Sequence, residues 1–329
     1  MINLKDISMK ATFKLLDTLV LPVASYGCQV WLPHSAFFAA FNTRNFSATG
    51  FMNKSASDST ERLHLKFLKW SLGVHKKCSN LACYGDTGRF PLAVFMAKQM
   101  FGYYKRLKQM ETNGENSIAG NAFKEQHRFQ LTWYRKVNDA FQSIGIQATW
   151  PYLDIDEKLQ ALFNGTWKEA VENSPKLRFY LKCKASLDEG IGFEPYLDIK
   201  NHKDRRCLVQ LRTSSHRLKI ETGRYNQHVN KAALGESERL CQRRCDFCTS
   251  ENVESLSVLP YAEIPILEDE HHVLVSCPKY HNLRSALHPS LKSLILRDES
   301  HHLLFTREHF RKFGQYVKHI FELRFPKVN

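Results

Sequence analysis

DSTERLHLKFLKWSLG, residues 58–73, is the stretch on which the reading of the fold turns. Asp58 followed by Glu61 is a capping-box pattern, and Gly73 stands where a helix ends, so a helix is expected over about 60–72. Downstream, Pro91 is placed as a first-turn proline for PLAVFMAKQMFGYYKRLKQM. There Leu92, Phe95, Met96, Met100, Tyr103 and Leu107 form an apolar stripe, which predicts a long amphipathic helix. Upstream, KATFKLLDTLVLPVASYGCQVWL (10–32) sets Phe13, Leu15, Leu16, Leu19 and Val20 as the inner side of a buried helix that Pro22 kinks or interrupts. Asn42 to Ser59 is dominated by Asn, Ser, Thr and Gly and reads as a flexible loop. Past the second helix, METNGENSIAGN (110–121) is a linker by composition, and 123–190 carries helical runs broken at Trp150, Pro151 and Pro175. RRCLVQLRTSSHRLKIETGRY leans toward β structure, while 306–325 places Phe310, Phe313, Val317, Phe321 and Phe325 at helical spacing. The fold class expected is mostly α.

Forty-seven Lys and Arg against 33 Asp and Glu leave a net charge of +14 over 329 residues, which favours a polyanionic partner. Residues 61–110 carry ten basic residues and two acids, a net of +8, so more than half of the excess lies there. No charged start with an apolar core marks a secretory signal at the N-terminus. The longest apolar stretch, Phe13 to Leu32, is interrupted by Lys14, Asp17, Pro22 and Gln29 and fails as a membrane span. The expectation is an intracellular protein with no membrane partner. Nine cysteines are too few for a disulfide scaffold, and the clustering of Cys241, Cys245, Cys248 and Cys277 points to metal.

RRCDFC (243–248) and EDEHHVLVSCPKYHNLR (268–284) hold the strongest chemical signal. The two-residue gap between Cys245 and Cys248 lets one turn aim both sulfurs at one ion, and His272 and Cys277 supply a second pair. Four such ligands make a closed, structural zinc site with no position left for a catalytic water. His271 is a rival to His272, with Cys241 and His281 at the edges. The 23 residues between the pairs contain the apolar VESLSVLPYAEIPIL, longer than a usual finger loop. Glu268, Asp269 and Glu270 read as a solvated turn, with a hydrogen bond to the metal-binding histidine as the functional option.

Arg62, Lys66 and Lys69 recur on one helical face, followed by His75, Lys76 and Lys77, and together they offer a phosphate backbone several contacts. Trp70, Phe67 and Tyr84 are interleaved with them at a spacing that suits core packing. Arg212, His216, Arg217, Lys219 and Arg224 form a second basic cluster, in which His216 has no evident acid or nucleophile partner and reads as structural. No nucleophile elbow, phosphate-cradling glycine loop or dinucleotide fingerprint is present.

Four segments, taken in order, resemble the region downstream of the polymerase core in non-LTR (LINE-type) retrotransposon reverse transcriptases. They are LLDTLVLPVASYGCQVW (15–31), FLKWSLGVHKK with ACYGDTGRFPL (67–92), SSHRLKIETGRY (214–225), and the paired segments around Cys245, Cys248, His272 and Cys277. The resemblance implies a helical, thumb-like region over 1–112, a helical connector over 122–235, a zinc module with a short β-hairpin over 236–290, and C-terminal helices over 291–329. It also implies that Lys66, Lys69, Lys76 and Lys77 contact phosphates, and that the cysteines and histidine match the family's C-terminal zinc motif. Polymerases of this family use paired aspartates in a Tyr-x-Asp-Asp turn, and this chain contains no Asp-Asp dipeptide. An enzyme in its own right is therefore not expected.

The reading that results is a nucleic-acid-binding fragment whose partner is RNA, an RNA/DNA duplex or DNA, with zinc as cofactor and Arg62, Lys66, Lys69, Lys76, Lys77, Arg212, Arg217, Lys219 and Arg224 as the contact residues. Kinship favours the nucleus. Two alternatives stand beside it: a zinc-stabilised module that binds protein, and a part of an RNA-directed DNA polymerase completed by another chain.

Overall fold

A computed structural model describes residues 7–35, 58–145, 152–223, 242–248 and 266–326. Most of the loop expected at 42–59, together with Arg224, Cys241 and most of the apolar insert, lies outside them.

Ser8 caps helix α1 (Met9–Leu15) by accepting from the amide of Ala11, and one wide turn, Leu16–Val20, carries the chain into α2 (Leu21–Ala24). Pro22 sits in the first turn of α2, where its missing N–H is harmless, so it does not break the run. The bend comes later, through Gly27 at φ 65, and sets α3 (Cys28–Trp31) and the following turn 53° from the first segment. Phe13 and Leu16 are buried as expected, but Leu15, Leu19 and Val20 face outward with Val23 and Tyr26. The longer period of the wide turn rotates Leu19 and Val20 off the core, and with Leu15 three of the five apolar positions face outward. No single helix among the described residues is long and apolar enough to cross a membrane.

Helix α4 (Ser59–Leu72) begins and ends where the sequence places it. Asp58 accepts from the amides of Thr60 and Glu61, and Gly73 closes the helix at φ 69. Glu61 does not reach back as a capping box requires. Its carboxylate is buried, accepts from Tyr84 Oη at 2.7 Å and from the amide of Leu92 at 2.6 Å, and so fixes the start of a neighbouring helix. Helix α5 (Asn80–Thr87) supplies Tyr84, and α6 (Leu92–Thr112) follows Pro91, burying Leu92, Met96, Met100, Phe101, Tyr104 and Leu107. Packed against α6 are α7 (Ile118–Arg128), α8 (Thr132–Ser143) and α9 (Tyr152–Glu172), with Phe123, Tyr134 and Phe141 clustered on Tyr104. Trp167 of α9 donates its indole N–H to the carbonyl of Leu81, against Gly85, where a Cβ would lie 2.5 Å from the indole and 2.4 Å from Tyr180 Oη.

Among its described residues the β-leaning stretch holds no strand and is helical over 205–212 and 219–222. After α10 (Arg178–Cys183), Asn201 caps α11 (His202–Arg212) by accepting from Lys203 and Asp204, and a short α12 (Lys219–Thr222) follows. The buried side of α11 is Asp204, Arg205, Leu208, Val209, Leu211 and Arg212. Charges occupy positions that an apolar pattern would need, and this hides the period of 3.6. Helices α13 (His281–Ser285), α14 (Pro289–Leu296) and α15 (Phe310–Arg324) complete the chain; α15 lays Phe313, Val317 and Ile320 on α11, with Gly314 close to Leu208 and Asp204. Among the described residues there is no strand. The expected hairpin is represented by one antiparallel bridge, Arg244 with Leu267.

Candidate metal centre and basic grooves

That single bridge builds the metal centre. The amide of Cys245 donates to the carbonyl of Ile266 at 2.9 Å, and the amide of Glu268 to Arg243 at 2.8 Å, so the two cysteine and histidine segments are held side by side. Between Cys245 and Cys248 the chain turns tightly. Asp269 accepts from the amide of His272 at 2.7 Å and starts the wide helical turn His272–Ser276, which delivers His272 and Cys277 to the same point. Cys245, Cys248, His272 and Cys277 are all buried, and their ligand atoms lie within 4.8 Å of one another.

The cluster fits a metal ion. Cys277 Sγ is 4.0 Å from both Cys245 Sγ and Cys248 Sγ, and Cys248 Sγ is 3.4 Å from His272 Nε2. Tetrahedral zinc, with metal–sulfur bonds of about 2.3 Å, needs sulfurs about 3.8 Å apart. The Ser276 hydroxyl lies 3.3 Å from His272 Nδ1, occupying the nitrogen that faces away from the thiols and orienting Nε2 toward them. The hydrogen bond from Cys277 draws the Cys245 thiol down to about 4, while burial pushes Cys248 up to about 11 and the donated proton raises Cys277. Of the three thiols, Cys245 is thus the one held toward the thiolate, the form that binds metal. His271 and the exposed His281 lie outside the cluster.

The acids beside the ligands are not a solvated turn. Glu268 is fully buried, accepting from the amide of Lys219 at 2.8 Å and pairing with Arg324 of α15. Glu270 accepts from Ser214 Oγ at 2.7 Å and pairs with His216 Nε2 at 2.8 Å, so His216 does have an acid partner, 54 residues away. Tyr316 Oη of α15 donates to the carbonyl of Leu274 at 2.9 Å. The metal segment is therefore fastened on one side to the C-terminal helix and on the other to residues 214–219.

The basic residues divide into three groups. Arg62, Lys66, Lys69 and Lys76 line one groove of about 430 Å³ with Leu65, Trp70, Val74 and Asn80. Trp70 is 56% exposed there, contrary to the core packing expected of it, whereas Tyr84 is buried as expected. Lys69 Nζ donates to the carbonyl of Lys76 at 2.9 Å and braces the turn after α4. Lys77 and Arg217 line a second cleft, of about 530 Å³, on the other side of that turn. Here Lys176 and Arg206 join them, two residues that sequence reasoning missed, since nothing local marks them.

Arg212 and Lys219 lie outside both cavities, each paired with acids of the chain. Arg212 is fully buried, pairing with Asp86 at 3.3 Å and Glu194 at 2.9 Å, and its guanidinium lies over the rings of Tyr180, Tyr196 and Phe305 at 5.2, 5.3 and 4.9 Å. Burial pushes the Asp86 carboxyl up; burial also opposes the charge on Glu194, but Arg212 and Lys184 outweigh it and hold that carboxyl down. Lys219 pairs with Asp246. No protein-family model matches the chain, and neither a curated protein nor a solved structure matches it.

Proposed function

We propose that this chain is a nucleic-acid-binding, C-terminal part of a reverse transcriptase of the non-LTR retrotransposon kind, with zinc held by Cys245, Cys248, His272 and Cys277. Its partner is RNA, an RNA/DNA duplex or DNA. One observation carries the reading: Arg62, Lys66, Lys69 and Lys76 share a groove with an exposed tryptophan. Cations contribute salt-dependent phosphate contacts, and an indole face offers a terminal or unpaired base a stacking surface. The donor set favours zinc, because three sulfurs and one imidazole suit a tetrahedral borderline-soft ion and a closed set is structural.

The test is fluorescence anisotropy of a labelled RNA/DNA hybrid, titrated at several salt concentrations. Wild type is expected to lose affinity steeply with salt, and Lys66→Glu with Lys69→Glu to weaken binding at least tenfold and reduce the logarithmic salt slope by about 2, near 0.9 per phosphate contact. Unchanged affinity and slope in that variant refute the groove as the contact surface.

A second reading, a part completed by another protein, is favoured by the outward apolar face of Leu19, Val23 and Tyr26. Template-dependent synthesis on mixing with a chain that carries a polymerase palm, abolished by Val23→Glu, tests it.

A further inference from the structure

The cleft of about 530 Å³ lies across the 74–77 turn from the tryptophan groove, with Val74 lining both. Its size falls in the range of about 300–1,000 Å³ typical of ligand pockets. Four cations converge on it from four separate stretches of chain: Lys77 after α4, Lys176 before α10, Arg206 on α11 and Arg217 before α12. Glu221 is the one acid in the lining, and it lies 3.6 Å from Lys176. The formal charge of the lining at neutral pH, leaving the histidines neutral, is therefore four minus one, or +3.

The walls are fixed. Arg206 Nε and Gln210 Nε2 both donate to the carbonyl of Gly73, at 3.0 and 3.1 Å, and the Ser215 hydroxyl accepts from the amide of His75 at 3.0 Å. Lys176 Nζ donates to the carbonyl of Lys77 at 3.0 Å. These bonds tie the turn to α11 and to the 214–217 segment, so the cations are held around one volume and not strung along a surface.

We propose that this cleft binds the terminal phosphomonoester of the polynucleotide whose strand lies in the tryptophan groove; the inference rests on the function proposed above. A diester carries one charge, whereas a monoester carries about −1.5 to −2 at neutral pH and has three oxygens for donors. Several cations gathered around one cleft match that concentrated charge. A line of diesters needs them spaced along a strand, as Arg62, Lys66 and Lys69 are on α4. The cleft is thus an end-reader beside a backbone-reader, with the 74–77 turn between them.

The experiment compares one RNA/DNA hybrid in three forms, 5′-phosphorylated, 3′-phosphorylated and hydroxyl-ended, by anisotropy at a fixed moderate salt concentration. One phosphorylated form is expected to bind about tenfold more tightly than the hydroxyl-ended form, the effect of about two added charge contacts; which one tells the polarity. Arg206→Gln with Arg217→Gln is expected to bring the ratio to one; both side chains are exposed, and because Arg206 also holds the carbonyl of Gly73, unchanged thermal melting and an Arg217→Gln single variant that by itself lowers the ratio serve as the controls. Lys66→Glu with Lys69→Glu is expected to weaken all three forms and leave the ratio in place. A wild-type ratio of one with hydroxyl-ended binding intact overturns the end-reader and spares the groove. A ratio that survives Arg206→Gln with Arg217→Gln also overturns it, and no binding of any form overturns both.

Discussion

Replacing Arg212 by Met separates a buried structural cation from a ligand-binding one. Methionine keeps much of the stem's volume but leaves Asp86 and Glu194 without their shared guanidinium. Glu194 retains Lys184 at 2.8 Å, whereas Asp86 is fully buried and, with Arg212 gone, keeps the Tyr196 hydroxyl as a donor but no paired cation among the described residues. Breaking a buried pair from one side costs about 3–5 kcal/mol. Burial already pushes the Asp86 carboxyl up in the wild type, and without Arg212 it rises further, so the carboxyl can escape by taking up a proton, a step that costs less at pH 5 than at pH 7. Arg212→Met is therefore expected to lose about 3–5 kcal/mol at pH 7 and less, relative to wild type, at pH 5. Adding Asp86→Asn is expected to recover most of the loss, because a neutral amide no longer needs a cation. Urea unfolding of wild type, single and double variants at the two pH values reads this out. A single variant that unfolds within about 1 kcal/mol of wild type at both pH values, yet binds polynucleotide more weakly, would refute the buried role and restore Arg212 to the contact surface.

Cys248→Ser is expected to lower bound zinc below one per chain and to raise hydrogen exchange over 242–248 and 266–280, because ligand binding and local folding are coupled; exchange mass spectrometry and metal analysis check it, and full protection without metal counts against the centre. Gly85→Ala is expected to destabilise by about 1–3 kcal/mol, since its methyl would enter the space held by Trp167 and Tyr180; a melting temperature at or above that of wild type contradicts the close approach. Burial opposes the charge of Glu270, yet His216 and Ser214 outweigh it and hold the carboxyl down to about 2. That depressed value stabilises the fold fully above about 4.5, and the contribution fades as the pH falls toward 2. Glu270→Gln is expected to flatten this part of the stability profile, and an unaltered acid limb would show the carboxylate to be energetically idle.

The features legible in the sequence are those set by neighbours along the chain. Asp58, Gly73 and Pro91 bracket two helices through local backbone chemistry, and two cysteines with two residues between them are aimed together by one turn. His272 prevails over His271 for a local reason as well: Asp269 caps its amide, and the wide turn aligns it with Cys277. What stayed hidden depends on distant partners. Lys176 meets the carbonyl of Lys77 across 99 residues, and His216 meets Glu270 across 54. Arg212 resembled the exposed Arg206 and Arg217 because nothing in RRCLVQLR tells which arginine turns toward an aspartate on another helix. The α11 face was missed for the same reason, a charged side chain being credible as buried only once its counter-ion is known.

The long-range pairs give the metal a consequence beyond its own module. Glu270, two residues before the ligand His272, holds Ser214 and His216, and their neighbours Ser215 and Arg217 form one wall of the cation-lined cleft. Glu268, on the same short segment, holds the amide of Lys219 and the guanidinium of Arg324. A metal that fixes residues 268–277 therefore fixes that wall, whereas the tryptophan groove is built from α4, the turn after it and Asn80, and meets the wall only through that turn, where the amide of His75 donates to the Ser215 hydroxyl. Chelation should in consequence loosen the cleft first. The advantage of a phosphorylated end should fall toward one while the hydroxyl-ended duplex still binds with its salt dependence intact. If chelation abolished both together, the two surfaces would share one cooperative unit, and the metal would support the whole chain and not this wall alone.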